Sequence, residues 1–138
     1  MVSVEKITYK LGQLDESLAV LGKIRGAPLD VFLNDKILIG SAKYYLQISI
    51  ECCLDVANHI ISAERYRAPR DYADTFSVLE EEKVIDSGFA TKLRQMAKFR
   101  NRLVHLYGEI DDAHVHEILQ GELKDFLDFK KTILARFT

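Results

Sequence analysis

At 138 residues, 48% of them apolar, the chain is long enough to bury one core and too short for two independent ones. Two prolines and no low-complexity tract argue against disorder. A formal charge of −2 gives the molecule as a whole no pull toward nucleic acid, so any such interaction must be local.

The N-terminal MVSVEKITYK places charges where a signal peptide needs an apolar core, and no run approaches the roughly 18 apolar residues that span a bilayer. A soluble, cytoplasmic protein is expected. Val4, Ile7, Leu11, Leu14, Leu18 and Leu21 recur at steps of three and four, which predicts a first helix with Ser3 as its N-cap. RGAPLD, Arg25 to Asp30, breaks that pattern with Gly and Pro.

From about Asp30 or Asn34 to Ala63 runs the longest helical pattern. Its apolar residues, from Ile37 to Ile61, cannot share one stripe, so this helix must be covered on most sides. It reads as a central helix, shared with a second copy in a symmetric homodimer. Gln47, Glu51, Asp55 and Asn58 make a polar track along it. Cys52 and Cys53 match no zinc or redox spacing and read as core. After a polar link, Asp71 followed by Asp74 resembles an acidic cap. Tyr72, Phe76 and Leu79 then give a short helix ending before Val84.

Asp86 or Ser87 opens the next helix, in a stretch unlike the rest. Ser87 to Gly108 holds Lys92, Arg94, Lys98, Arg100 and Arg102 with no Asp or Glu, so it carries +5 and everything outside it −7. Such a bias attracts phosphate or a carboxylate-rich face, unless acidic neighbours from other helices answer it. Phe89, Leu93, Met96, Arg100, Leu103 and Tyr107 form one stripe, apolar except for the arginine in its middle and the tyrosine at its end. A buried guanidinium needs a carboxylate, a wet cleft or a bound anion. Glu51 and Glu109 are the evident partners. Arg94, Lys98, Asn101, Arg102 and His105 share a second face. His105 stands about 140° around the helix from Arg100, so the two converge only across a groove, through a distorted last turn, or by using a second copy. Gly108 is the expected helix cap, and a helix C-terminus favours a cation, which suits His105 as a proton donor. Asp111 or Asp112 opens the final helix, whose predicted core set is Val115, Ile118, Leu119, Leu123, Phe126, Leu127, Ile133, Leu134 and Phe137. The expectation is an all-α antiparallel bundle of about five helices in a single domain, 1–138.

Arg100-Asn101-Arg102-Leu103-Val104-His105-Leu106-Tyr107 resembles the R-x4-H-x-Y signature of the HEPN superfamily, in the form found in HepT-type toxins. LQISIECCLDVANHII, PRDYADTFSVLEEEKVI, MAKFRNRLVHLYGEID and the final helix follow that family's order over most of the chain. The resemblance implies a HEPN-like fold and a metal-independent endoribonuclease needing no cofactor. RNA supplies its own 2′-hydroxyl nucleophile, so the protein has only to move protons and stabilise phosphorane charge. On this reading His105 is the general acid or base, and Arg100 offers forked donors to the phosphate oxygens. Asn101 supports them, while Arg94, Lys98 and Arg102 track neighbouring phosphates of the RNA. Two copies facing each other supply both proton transfers. The resemblance also implies that a cognate minimal nucleotidyltransferase, the antitoxin, adenylylates Tyr107, placing a bulky anion beside the cleft.

The competing expectation is a non-catalytic helical module that docks a nucleotidyltransferase or a nucleotide through Arg100 and His105. His114-Val115-His116 with Asp111 and Asp112 follows no metal-ligand spacing, and on a helix rings two apart diverge.

Overall fold

The computed structural model describes residues Met1–Thr138 as seven α-helices and one 3-10 turn, with no strand. Helix α1, Val4–Arg25, begins where Ser3 accepts a hydrogen bond from the Lys6 amide at 3.2 Å. Its inward face is Ile7, Leu11, Leu14, Leu21 and Ile24, while Val4 is exposed. The Gly-Pro break is followed by a short helix that periodicity does not reveal, α2, Leu29–Leu33. One residue anchors it, Phe32, which is fully buried.

Helix α3, Lys36–Ala63, is capped by Asp35, whose side chain accepts from the Ile37 and Leu38 amides. It touches every other α-helix, which explains why its apolar residues lie on most sides. Cys52 and Cys53 are buried free thiols, and burial pushes both up from the usual thiol range. Buried polarity between α1 and α3 is satisfied internally. The Ser17 hydroxyl lies 2.8 Å from both the Tyr45 carbonyl and the Ser49 hydroxyl.

Helix α4, Tyr72–Glu81, starts at Asp71, which accepts from the Asp74 amide at 2.7 Å; Asp74 reaches back to the Arg70 amide at 2.9 Å. Helix α5, Ser87–His105, is capped by Asp86. Its end departs from expectation. The helix stops at His105, with Leu106 at the C-cap, and the chain enters a 3-10 turn, Tyr107–Glu109. Gly108 lies inside that turn with a negative φ, so it is not the left-handed cap its position predicted.

The final helical pattern is two helices, α6 (Asp112–Gly121, capped by Asp111) and α7 (Leu123–Phe137). The break at Glu122 resets the helical phase. Beyond it Leu123, Phe126, Phe129 and Ile133 face inward, whereas Leu127, expected in the core, is exposed. The buried apolar residues of all seven helices form one contiguous core. The seven helices compare with about five expected because α2 and the α6–α7 break lack a sequence period. No helix is long and apolar enough to cross a membrane.

Candidate active site

Arg100 sits on α5 facing α3 and α4, with its side chain 15% exposed. Its Nε and Nη2 donate to the same oxygen, Glu51 Oε2, at 3.0 and 2.7 Å. Nη1 donates to Asn101 Oδ1 at 3.3 Å. Of the two carboxylates the sequence offered, Glu51 takes the arginine; Glu109 stands exposed in the 3-10 turn. Gln47, one helical turn before Glu51, approaches the same carboxylate at 3.5 Å. The Tyr72 ring covers the guanidinium, 4.8 Å from Cζ to the ring centroid. A guanidinium has five N–H donors and only three are engaged, so the group is held in place with donors to spare. Asn58, Arg70, Tyr72 and Asn101 line a cleft of about 330 Å³ beside it.

The segment between α3 and α4 fixes Tyr72 over Arg100. Arg67 binds Asp74 through Nη1 and Nη2 at 2.7 and 2.9 Å, and Glu81 through Nε and Nη2 at 2.8 and 2.9 Å. This double fork straps the segment to α4. Hydrogen bonds from the Arg67 guanidinium, then from the Arg70 amide, hold the Asp74 carboxyl well below the usual carboxylate range.

His105 is the last residue of α5 and is exposed, on a different side of the helix from Arg100. Tyr107 follows in the 3-10 turn, 49% exposed. Its ring rests on the ammonium of Lys43, 4.5 Å from the centroid, and a Cβ placed on Gly40 would lie 3.8 Å from its hydroxyl. Lys43 is itself 7% exposed and pairs with Asp112 Oδ1 at 3.0 Å.

The second face of α5 does not act as one surface. Arg94 turns to α4, pairing with Glu80 at 2.7 Å and approaching Ser77 at 3.5 Å. Asn101 serves Arg100. Lys98 and Arg102 lie along a separate groove toward α6 and α7. His114 packs edge-on against Phe99, while His116 packs on Phe32 with Nε2 2.9 Å from the Ala27 carbonyl oxygen, so the two rings go separate ways. No three His, Cys, Asp or Glu side chains gather in a way that could hold a metal ion.

Two participants escaped the sequence. Tyr72 read as an ordinary packing residue, and its place over Arg100 depends on a loop. Lys43 did leave a signal, a lysine amid the inward-facing Ile39, Ala42 and Leu46, which marks a cation that must find a partner.

Residues 14–133 match the family model described as ribonuclease HepT-like. The mRNA nuclease HepT of Shewanella oneidensis is 31% identical over 106 residues, 77% of this chain and 76% of that one. The putative RNase YutE of Bacillus subtilis is 30% identical over 84 residues, covering 61% and 58%. Among solved structures, the tri-AMPylated Shewanella oneidensis HEPN toxin in complex with the MNT antitoxin superposes with a TM-score of 0.90 at 28% identity, over 97% of this chain and 100% of that one. A toxin–antitoxin crystal structure with AMP-PNP gives 0.90 at 27%, over 96% and 99%. The chain therefore belongs to the ribonuclease HepT-like family, a HEPN-type enzyme that cleaves RNA phosphodiester bonds.

Proposed function

We propose that the protein is a metal-independent endoribonuclease toxin whose site is completed when two copies face each other, each contributing Arg100 and His105. The carrying observation is that Glu51 and Asn101 lock the Arg100 guanidinium while two of its N–H groups take no partner within the chain, and that Tyr72 and Asn101, which touch it, line a cleft. Arg100 and His105 face different ways within one chain, so a second copy brings the complementary group. Val104, Leu106 and Tyr107 surround His105 as exposed apolar side chains, a surface suited to being covered by that copy.

The ribose 2′-oxygen attacks the adjacent phosphorus and the bond to the 5′-oxygen breaks. One His105 takes the 2′-hydroxyl proton, and the second copy's His105 gives a proton to the departing 5′-oxygen. The products are a 2′,3′-cyclic phosphate and a 5′-hydroxyl. Arg100 stabilises the charge on the non-bridging oxygens, with Asn101 holding its fork. Lys98 and Arg102 meet neighbouring phosphates; Arg94 does so only by leaving Glu80.

A nucleotidyltransferase antitoxin silences the enzyme by adenylylating Tyr107. The half-exposed phenol next to His105 supports this reading, as does the likeness to an AMPylated toxin in complex with its antitoxin. Family membership favours catalysis over a docking-only module.

Incubation with total RNA in EDTA tests the proposal. Cleavage should persist with chelator and fall by about 10²–10⁴-fold in His105→Ala. Cleavage abolished by EDTA, or unchanged in the variant, would rule it out. Co-expression with the antitoxin followed by mass spectrometry should find AMP on Tyr107; an unmodified tyrosine in a fully inhibited pair would mean inhibition by occlusion.

A further inference from the structure

We infer that a groove on the flank of α5 away from Arg100 binds a guanine nucleotide. It runs between α5 and the α6–α7 break, over α3, and encloses about 590 Å³. Ile50, Met96, Phe99 and Phe126 give it an apolar, part-aromatic lining of the kind on which a base stacks. Lys92, Lys98, Arg102 and Lys124 line it against only two acids, Glu122 and Asp125, so the groove carries an excess of positive charge.

Asp125 gives the groove its chemistry. Its side chain is 6% exposed and lines the groove. In the first turn of α7 it stands where an acidic residue commonly caps the helix, yet the Glu122 amide bonds instead to the Ile118 carbonyl. The nearest cation, Lys92 Nζ, is 3.9 Å away, beyond hydrogen-bond reach. Neither Asp125 oxygen accepts a hydrogen bond within the chain, and both stay open to the groove, so a ligand can bring donors to a carboxylate whose stem is held by the fold. Two adjacent donors on one edge suit a carboxylate best. Among the RNA bases guanine offers them, N1–H beside the N2 amine; adenine sets its single amine between acceptors. The four cations then serve the phosphates. Lys98 and Arg102 project from the helix that also carries Arg100 and His105, so a strand following α5 could connect groove and cleft. A free guanine nucleotide presents the same chemistry.

The intact chain is titrated, by calorimetry or amide chemical shifts, with GMP, IMP and AMP. It is also titrated with uncleavable 2′-O-methyl tetranucleotides that contain or lack one guanine. GMP is expected to bind about tenfold tighter than AMP, with IMP, which keeps N1–H and lacks the amine, between them. Asp125→Asn should erase the preference, and Lys98→Ala with Lys124→Ala should weaken all ligands alike. Tighter binding of the guanine tetranucleotide than of GMP identifies a strand as the ligand; equal binding identifies the free nucleotide. Equal affinity for GMP and AMP, no binding at millimolar concentration, or a preference surviving Asp125→Asn overturns the assignment. The comparison of GMP, IMP and AMP on the unaltered chain stands even if Asp125→Asn misfolds. Because binding is read instead of cleavage, failure of the proposed R-x4-H chemistry would leave these results intact.

Discussion

Arg100 gives two of its donors to a single oxygen of Glu51, at 3.0 and 2.7 Å, and so leaves its remaining donors pointing elsewhere. That geometry orients the arginine as much as it neutralises it. A lysine at the same position would keep the charge and lose the fork. Arg100→Lys is expected to retain the fold by circular dichroism while lowering cleavage of a fluorogenic RNA by about 10²–10³-fold. Glu51→Gln should lower it by less, since the amide oxygen still accepts. Full activity in Arg100→Lys, or an unfolded protein, would show that the pair serves structure alone.

Much of this site was readable because helical periodicity places residues on faces. The stripe from Phe89 to Leu103 with Arg100 in its middle follows from spacing, and so does the demand for a carboxylate, which Glu51 meets. What spacing could not give was the contact between elements. Tyr72 over Arg100 is set by the Arg67 strap, three side chains that converge from a loop and two turns of α4. Arg94 and Lys98 share a face on paper, yet Glu80 draws the first toward α4 while the second remains in a groove. Leu127 failed for a different reason. One break at Glu122 shifts the phase of everything after it, and a glycine within a helical pattern signals such a break only weakly.

Lys43 couples α3, the 3-10 turn and α6. Asp112 Oδ1 accepts no hydrogen bond of good angle, so the ammonium at 3.0 Å is its partner by charge alone. Lys43→Met should destabilise the protein by about 2 kcal/mol in urea unfolding, short of the cost of breaking a fully buried pair because Asp112 is partly exposed. Adding Asp112→Asn should recover at least half of that loss. The single variant should also slow adenylylation of Tyr107, whose ring loses its support. Additive losses in the double variant would refute the coupling.

Acid stability should depend on the Arg67 strap. The Asp74 and Glu81 carboxyls are both held below their ordinary values by hydrogen bonds from Arg67. The unfolded chain therefore binds more protons in the acidic range, and stability from these groups is present near neutral pH and lost as pH falls below about 4. Asp125 acts in the opposite sense. Burial raises its carboxyl, so its contribution is greatest in acid and declines as pH rises through the folded value. Unfolding midpoints measured from pH 2.5 to 6 should rise more steeply in the native chain than in Arg67→Met, and more steeply still in Asp125→Asn. Parallel profiles for native and Arg67→Met would show that the strap contributes no proton linkage.

The end of α4 offers a gain in stability. Lys83 has φ 60°, a left-handed conformation, immediately after the C-cap Glu82. The turn is closed by the Val84 amide donating to the Leu79 carbonyl at 2.9 Å, the bond that commonly follows a glycine at this position. A residue with a Cβ pays roughly 1 kcal/mol to stay there, and glycine does not. The Lys83 side chain is exposed, and its carbonyl, which accepts from Arg136 Nη1 at 3.1 Å, is kept by any residue. Lys83→Gly should therefore stabilise the protein by about 0.5 kcal/mol, after the greater backbone freedom of unfolded glycine is subtracted. The thermal midpoint should rise by about 1–2 °C, with RNA cleavage unchanged because the turn lies on the far side of α4 from Tyr72 in sequence and carries no proposed site residue. A lowered midpoint would show that the lysine side chain contributes more to this turn than its backbone strain costs.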